Sequence, residues 1–144
     1  MTNFYMLIGL PGCGKSFYAK KLSEETGAII HSSDAIKEEL FNSEEVQAES
    51  SKVFEFLHRR IKEDLAKGSD VIYDAINMHS KRRRAFLQEL KKYNCKKTAV
   101  FIATPYEKCL EQNKLRKRKV PEHVIKRIYI CLLMFPVCQK ALMK

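Results

Sequence analysis

The sequence has no tryptophan, and only five glycines and four prolines among its 144 residues. So few chain breakers exclude collagen-like and low-complexity compositions and leave room for long regular elements. Cysteine occurs five times, at Cys13, Cys95, Cys109, Cys131 and Cys138, without a C-x-x-C pair and in odd number. That pattern suits neither a disulfide framework nor a zinc ribbon; it suits free thiols in a reducing cytoplasm. The histidines His31, His58, His79 and His123 lack metal-ligand spacing, so no zinc site is expected. No G-x-S-x-G nucleophile turn is present, and no Asn-Gly or Asp-Gly hairpin dipeptide. The longest apolar stretch, Ile128 to Val137, is far shorter than the roughly 20 residues of a membrane span, and no signal-peptide pattern opens the chain. No membrane association is expected.

Acidic residues are scarce in one half. Residues 73–144 hold 5 Asp+Glu against 18 Lys+Arg, a balance of +13, whereas residues 1–72 hold 12 against 9, a balance of −3. Clustered cations concentrate anions, so a polyanionic partner is one reading: single-stranded nucleic acid or another phosphorylated acceptor. A solvated basic helix is the other. With 45% hydrophobic and 31% charged residues, the chain reads as one globular domain over residues 1–144.

Asn3 to Ile8 is an apolar run stopped by glycine and reads as a buried strand. A helix from Ser16 to Glu25 follows, then a strand from Ala28 to His31. Ser32, Ser33 and Asp34 are cap types before a helix from Ala35 to Leu40. From Glu44 to Lys67, Val46, Val53, Phe54, Leu57, Ile61 and Leu65 recur at three- and four-residue spacing, predicting one long amphipathic helix. Val71 to Tyr73 predicts a third strand ending at Asp74, Ser80 to Tyr93 a basic helix, and Thr98 to Ala103 a fourth strand. Thr104-Pro105-Tyr106-Glu107 has a cap residue, proline at the first helical position and glutamate, predicting a helix to about Arg116. A last helix is expected from Pro121 towards Phe135. Strands alternating with helices imply an α/β fold with a parallel sheet of about four strands between helical layers. Ligands then bind beyond the carboxyl ends of the strands, where Gly9, Asp34 and Asp74 fall.

Gly9-Leu10-Pro11-Gly12-Cys13-Gly14-Lys15-Ser16 fits G-x-x-x-x-G-K-S/T between a strand and a helix. Glycines let the backbone turn its N–H groups inward, and the helix N-terminus adds partial positive charge, together a cradle for the phosphates of ATP. Gly9, Pro11, Gly12, Cys13, Gly14, Lys15, Ser16 and Phe17 are therefore the expected nucleotide contacts, with Lys15 on the β- and γ-phosphates and Ser16 on Mg²⁺. Cys13 is expected to lend a backbone N–H rather than a nucleophile.

Transfer to a hydroxyl needs a carboxylate that accepts its proton. Asp34 is the candidate base, and a helix cap is its competing role. Asp74, after an apolar strand, is placed to hold Mg²⁺ or to make a turn, and Asn77 to bond the acceptor or to turn the chain. Lys81-Arg82-Arg83-Arg84 and Arg116-Lys117-Arg118-Lys119 are the densest charges, and on a helix only about two of four successive residues can face one ligand. The second cluster precedes Pro121 and suits a lid over about residues 112–121. From there Arg116, with Arg118 as the alternative, would steady transition-state charge.

Taken in order, the loop Gly-Leu-Pro-Gly-Cys-Gly-Lys-Ser, Ser33-Asp34, Tyr73-Asp74-Ala75-Ile76-Asn77 with the following Lys-Arg-Arg-Arg, and Asn113 to Arg116 leading to Val120-Pro121 resemble the kinase domain of phage polynucleotide kinase and its bacterial AAA-type ATPase relatives. The resemblance covers roughly residues 3 to 135. It implies a P-loop NTPase three-layer sandwich with an α-helical lid, and ATP-dependent phosphorylation of a 5′-hydroxyl. It also implies that Asp34 is the base, that Lys37 contacts the acceptor's phosphate, and that Arg116 is the lid arginine, with Arg82 on the acceptor side. The sequence departs from that family where Gln112 and Lys37 replace arginine and Ile76 replaces threonine, and it has no D-x-D-x-T phosphatase motif. Two other readings stand beside it: a kinase of a nucleoside, sugar or antibiotic, and a nucleotide-binding regulatory ATPase. The apolar tail Val137 to Lys144 suits a truncated or oligomer-buried end, so a homo-oligomer is also an expectation.

Overall fold

Alternation along the first strand sets the layers. In a computed structural model, which describes residues 1–41, 50–77, 80–116 and 120–134, strand β1 runs Thr2–Ile8. Its Phe4, Met6 and Ile8 enter one core cluster and its Leu7 another, on the opposite face of the sheet. The remaining elements, in chain order, are α1 (Lys15–Thr26), β2 (Ile29–Ser32), α2 (Ser33–Phe41), α3 (Ser50–Ala66), β3 (Val71–Asp74), α4 (Ser80–Glu89), a 3₁₀ turn (Leu90–Lys92), β4 (Cys95–Phe101), α5 (Tyr106–Leu115) and α6 (Glu122–Met134).

The four strands are parallel in the order β2-β3-β1-β4. The expected α/β sandwich is therefore present. Val53, Leu57, Ile61 and Leu65 on α3, Ile36 on α2 and Phe86 on α4 cover one face, while Ala19 and Leu22 on α1 cover the other. β3 is buried along its whole length, which is why its sequence is apolar without alternation.

Boundaries differ from the sequence expectation at several elements. β4 begins at Cys95 rather than Thr98 because it is an edge strand, where Lys96 and Lys97 pair through their backbones and stay exposed. The basic helix stops at Glu89 and tightens into the 3₁₀ turn. Asp34 is not the cap of α2: it is the second helical residue, and the Ser32 hydroxyl accepts the Ala35 N–H at 3.5 Å. Val46, His79, Arg118 and the tail from Val137 lie outside the described residues. Among the described residues no helix is long and apolar enough to cross a membrane.

Sheet register collects the site. Leu7 pairs with Asp74, and Asp74 with Ser32, so the ends of β1, β3 and β2 stand in one row. The loop after β1, the carboxylate ending β3 and the start of α2 all open from that row.

Candidate active site

The loop Gly9–Ser16 leaves β1 and turns into α1. Gly14 caps α1 from the left-handed region at φ 95°. Gly12 has φ +82°, and a Cβ there would stand 2.5 Å from the Cys109 carbonyl oxygen, so glycine is required both by the turn and by the close approach of α5. The Thr104 hydroxyl, expected to cap α5, instead donates to the Cys13 carbonyl at 2.7 Å, and Pro105 takes the cap position of α5 without a side-chain bond. The loop is thus braced from outside as well as by its own turn.

Lys15 Nζ donates to the carbonyls of Gly9 and Leu10 at 3.3 and 3.1 Å, lying over its own loop. The Cys13 N–H, expected to face a phosphate, donates to the Leu10 carbonyl at 3.1 Å. The Cys13 side chain is buried, and burial pushes its thiol above the ordinary value despite nearby Lys15. It is therefore a packing thiol rather than an activated one. Cys109, fully buried beside it, is pushed up to about 11, mainly by burial.

The Ser16 hydroxyl donates to Asp74 Oδ2 at 3.0 Å. Asp74 is 5% exposed, and burial raises its carboxyl from the ordinary value, against the pull of Lys15 and the Ser16 bond. Among the described residues no cluster of three or more His, Cys, Asp or Glu could hold a metal alone. The Ser16–Asp74 pair nevertheless offers two hard oxygens at the foot of a cationic loop. That donor set fits Mg²⁺, which takes the rest of its shell from phosphates and water.

Asp34 and Arg116 meet across the cleft: Arg116 Nη2 lies 3.4 Å from Asp34 Oδ2, with the side chains 32% and 29% exposed. The cleft encloses about 1350 Å³ and is lined by the phosphate loop with Phe17, by Asp34 and Lys37, by Asn77 and Arg82, and by Gln112 and Arg116. This space exceeds the several hundred Å³ of an ordinary ligand pocket, leaving room for a nucleotide and a second substrate. Of the described residues given a nucleotide, metal, acceptor or catalytic role from the sequence, all but Gly9 line this one cleft, and the Gly9 carbonyl accepts from Lys15 Nζ.

Two details were not legible in advance. Asn77, at φ 52°, spends its amide N–H groups on the Leu7 and Ala75 carbonyls at 2.8 and 3.4 Å, tying the ends of β1 and β3 together. Of the cluster at 81–84, it is Arg83 that the fold takes inside: it is 4% exposed and donates to the Asn77 carbonyl at 2.7 Å. The signal was its spacing, since Arg83, Phe86 and Leu90 recur at helical period and are all buried. Arg82 stays at the surface, and both arginines line the cleft. Gln112, where the resembling family has arginine, has a buried Oε1 without a hydrogen-bond partner among the described residues.

Comparison with known proteins bears on the fold and the family. A chain of the Pnkp1/Rnl/Hen1 RNA repair complex superposes with TM-score 0.81 at 16% identity, over 92% of this chain and 44% of that one. Shikimate kinase from Acinetobacter baumannii, in complex with shikimate, superposes with TM-score 0.63 at 18% identity, over 98% and 80%. In sequence, the L-seryl-tRNA(Sec) kinase of Methanococcus maripaludis is 30% identical over 131 residues, 86% of this chain and 50% of the relative, so the chain spans about half the length of that relative. Residues 4–129 match the family described as AAA domain. The chain belongs to that AAA domain family and has the fold of the P-loop kinases.

Proposed function

We propose that the protein is an ATP-dependent phosphotransferase whose acceptor is the 5′-hydroxyl of a polynucleotide. One observation carries the transfer chemistry: a carboxylate and a guanidinium, Asp34 and Arg116, meet 3.4 Å apart at the mouth of a phosphate loop. A protein that only bound nucleotide would need neither.

In this reading the loop from Gly9 to Ser16 holds the ATP phosphates, and Lys15 exchanges its loop carbonyls for phosphate oxygens. Ser16 and Asp74 would hold Mg²⁺, which neutralises phosphate charge when bound. Asp34 accepts the proton of the attacking hydroxyl and aims its oxygen. Arg116 leaves Asp34 for the transferring group, where its planar donors match the charge on the equatorial oxygens. Lys37, one helical turn after Asp34 on α2, and Arg82, both lining the cleft, receive the acceptor's phosphate. Arg118 remains the alternative lid residue. The excess of cations over residues 73–144 and the likeness to an RNA repair complex and a tRNA-linked kinase support a nucleic-acid acceptor.

A second reading, a small-molecule kinase, is favoured by the shared fold of shikimate kinase and of a gluconokinase from Sinorhizobium meliloti, TM-score 0.61 at 16% identity over 88% of this chain and 73% of that one. The test is transfer of labelled γ-phosphate from ATP to a short oligonucleotide with a free 5′-hydroxyl, beside a panel of nucleosides and sugars, with Lys15→Ala as the blank. Label on the oligonucleotide supports the proposal. Label only on a small molecule replaces it with the second reading, and release of free phosphate alone removes both acceptors.

A further inference from the structure

The action proposed for Arg116 requires that the chain deliver it to one place, and Asn113 bonds both Val120 and the Arg116 backbone. Asn113, three residues before it on α5, is 3% exposed. Its amide makes both possible bonds to a single backbone unit: Nδ2 donates to the Val120 carbonyl at 2.7 Å, and Oδ1 accepts the Val120 N–H at 3.0 Å. The Arg116 N–H returns to the Asn113 carbonyl at 3.2 Å. Val120 and the Arg116 backbone are therefore both bonded to Asn113.

The same residue also meets the phosphate loop. A Cβ added at Gly12 would stand 3.2 Å from the Asn113 nitrogen and 3.3 Å from its Cβ. Asn113 thus touches the loop with its backbone and the lid return with its amide. Only a primary amide supplies a donor and an acceptor side by side at this length; aspartate lacks the donor and leucine lacks both.

We propose that Asn113 is a positioning residue that fixes the reach of Arg116 relative to the phosphate loop, a role that rests on the reading of Arg116 given above. The alternative is a clip that holds the fold and has no particular bearing on Arg116. The two differ in a double-mutant cycle, because a residue that acts through Arg116 has nothing to position once Arg116 is gone.

The experiment is single-turnover cleavage of the ATP γ-phosphate with magnesium, with and without a 5′-hydroxyl oligonucleotide, in the wild type, Asn113→Ala, Arg116→Ala and the double variant. Hydrolysis without acceptor keeps the readout independent of what the acceptor is. Arg116→Ala should slow cleavage about 10²- to 10³-fold. Asn113→Ala should slow it about 10- to 100-fold, the scale of a misplaced catalytic group, while the ATP Kd changes less than about threefold. In the Arg116→Ala background the same substitution should change the rate less than about twofold. An equal loss in both backgrounds overturns the proposal and leaves the reading of the site standing. Arg116→Ala at the wild-type rate overturns both. Asn113→Asp keeps the volume and the acceptor oxygen but loses the donor; it carries the same comparison with the same two outcomes if the alanine variant does not fold.

Discussion

Arg116 Nη2 stands 3.4 Å from Asp34 Oδ2, although 82 residues separate them in the chain. The two charges face each other where neither is fully exposed, and both side chains line the same cleft. In the proposed reading this pair holds the base beside the lid arginine until phosphates compete for the guanidinium.

Asp34→Asn keeps the size of the side chain and removes its ability to take a proton. Transfer should fall about 10²- to 10⁴-fold, with ATP affinity retained, measured by rapid quench and by equilibrium binding of a fluorescent ATP analogue. Full transfer in this variant would assign the base elsewhere.

Asp74→Asn should raise the magnesium concentration for half-maximal transfer by about 10- to 100-fold, because one of the two hard oxygens beside Ser16 loses its charge. A magnesium titration at saturating ATP checks this, and an unchanged midpoint would detach Asp74 from the metal.

Gly12→Ala places a methyl group 2.5 Å from a backbone oxygen at a φ of +82°. Strain in the left-handed region and overpacking together should destabilise the fold by about 2–4 kcal/mol. Urea unfolding measures it; a loss under about 1 kcal/mol would mean that α5 yields easily.

His58 is stacked on Phe86 at 3.8 Å and lies 2.8 Å from the Tyr73 hydroxyl. Burial lowers its pKa from 6.5 to about 4, with Lys62 lowering it further and Glu89 opposing. Burial also raises Tyr73, so the phenol keeps its proton beside the neutral ring. A depressed histidine binds more protons when unfolded. Its contribution is therefore full above the unfolded pKa and is lost as pH falls towards 4. The loss should be about 1–2 kcal/mol, discounted for the ring's partial exposure. His58→Gln should flatten this part of the stability profile, read by denaturant melts across that window.

Lys37→Ala should weaken oligonucleotide binding at all sequences and reduce the slope of log Kd against log salt by about 0.7 for a single strand. A lower affinity with an unchanged slope would mean that Lys37 does not meet a phosphate.

The phosphate loop was legible because its chemistry is local: eight consecutive residues make the turn, the helix start and the cation, and no distant contact is needed to recognise them. Asp34 and Asp74 were legible as candidates because each follows a short apolar run. Period and composition did not separate roles where packing decides them. Asn77 was open to the acceptor by sequence, and its amide N–H groups are spent on β1 and its own loop. Four consecutive cations at 81–84 look alike in a sequence, and only the cover of α4 on the sheet buries Arg83 and leaves Arg82 exposed, with both at the cleft.

By itself the sequence determined the alternation of strands and helices, the nucleotide loop and the set of charged candidates, because these depend on neighbours within a turn or two. The tertiary structure decided the strand order that brings the ends of β1, β3 and β2 into one row. It also decided the pairing of Asp34 with Arg116 and the clasp between Asn113 and Val120. Those are relations between residues distant in the chain or across a loop, set by which surfaces bury each other, and no local pattern encodes them.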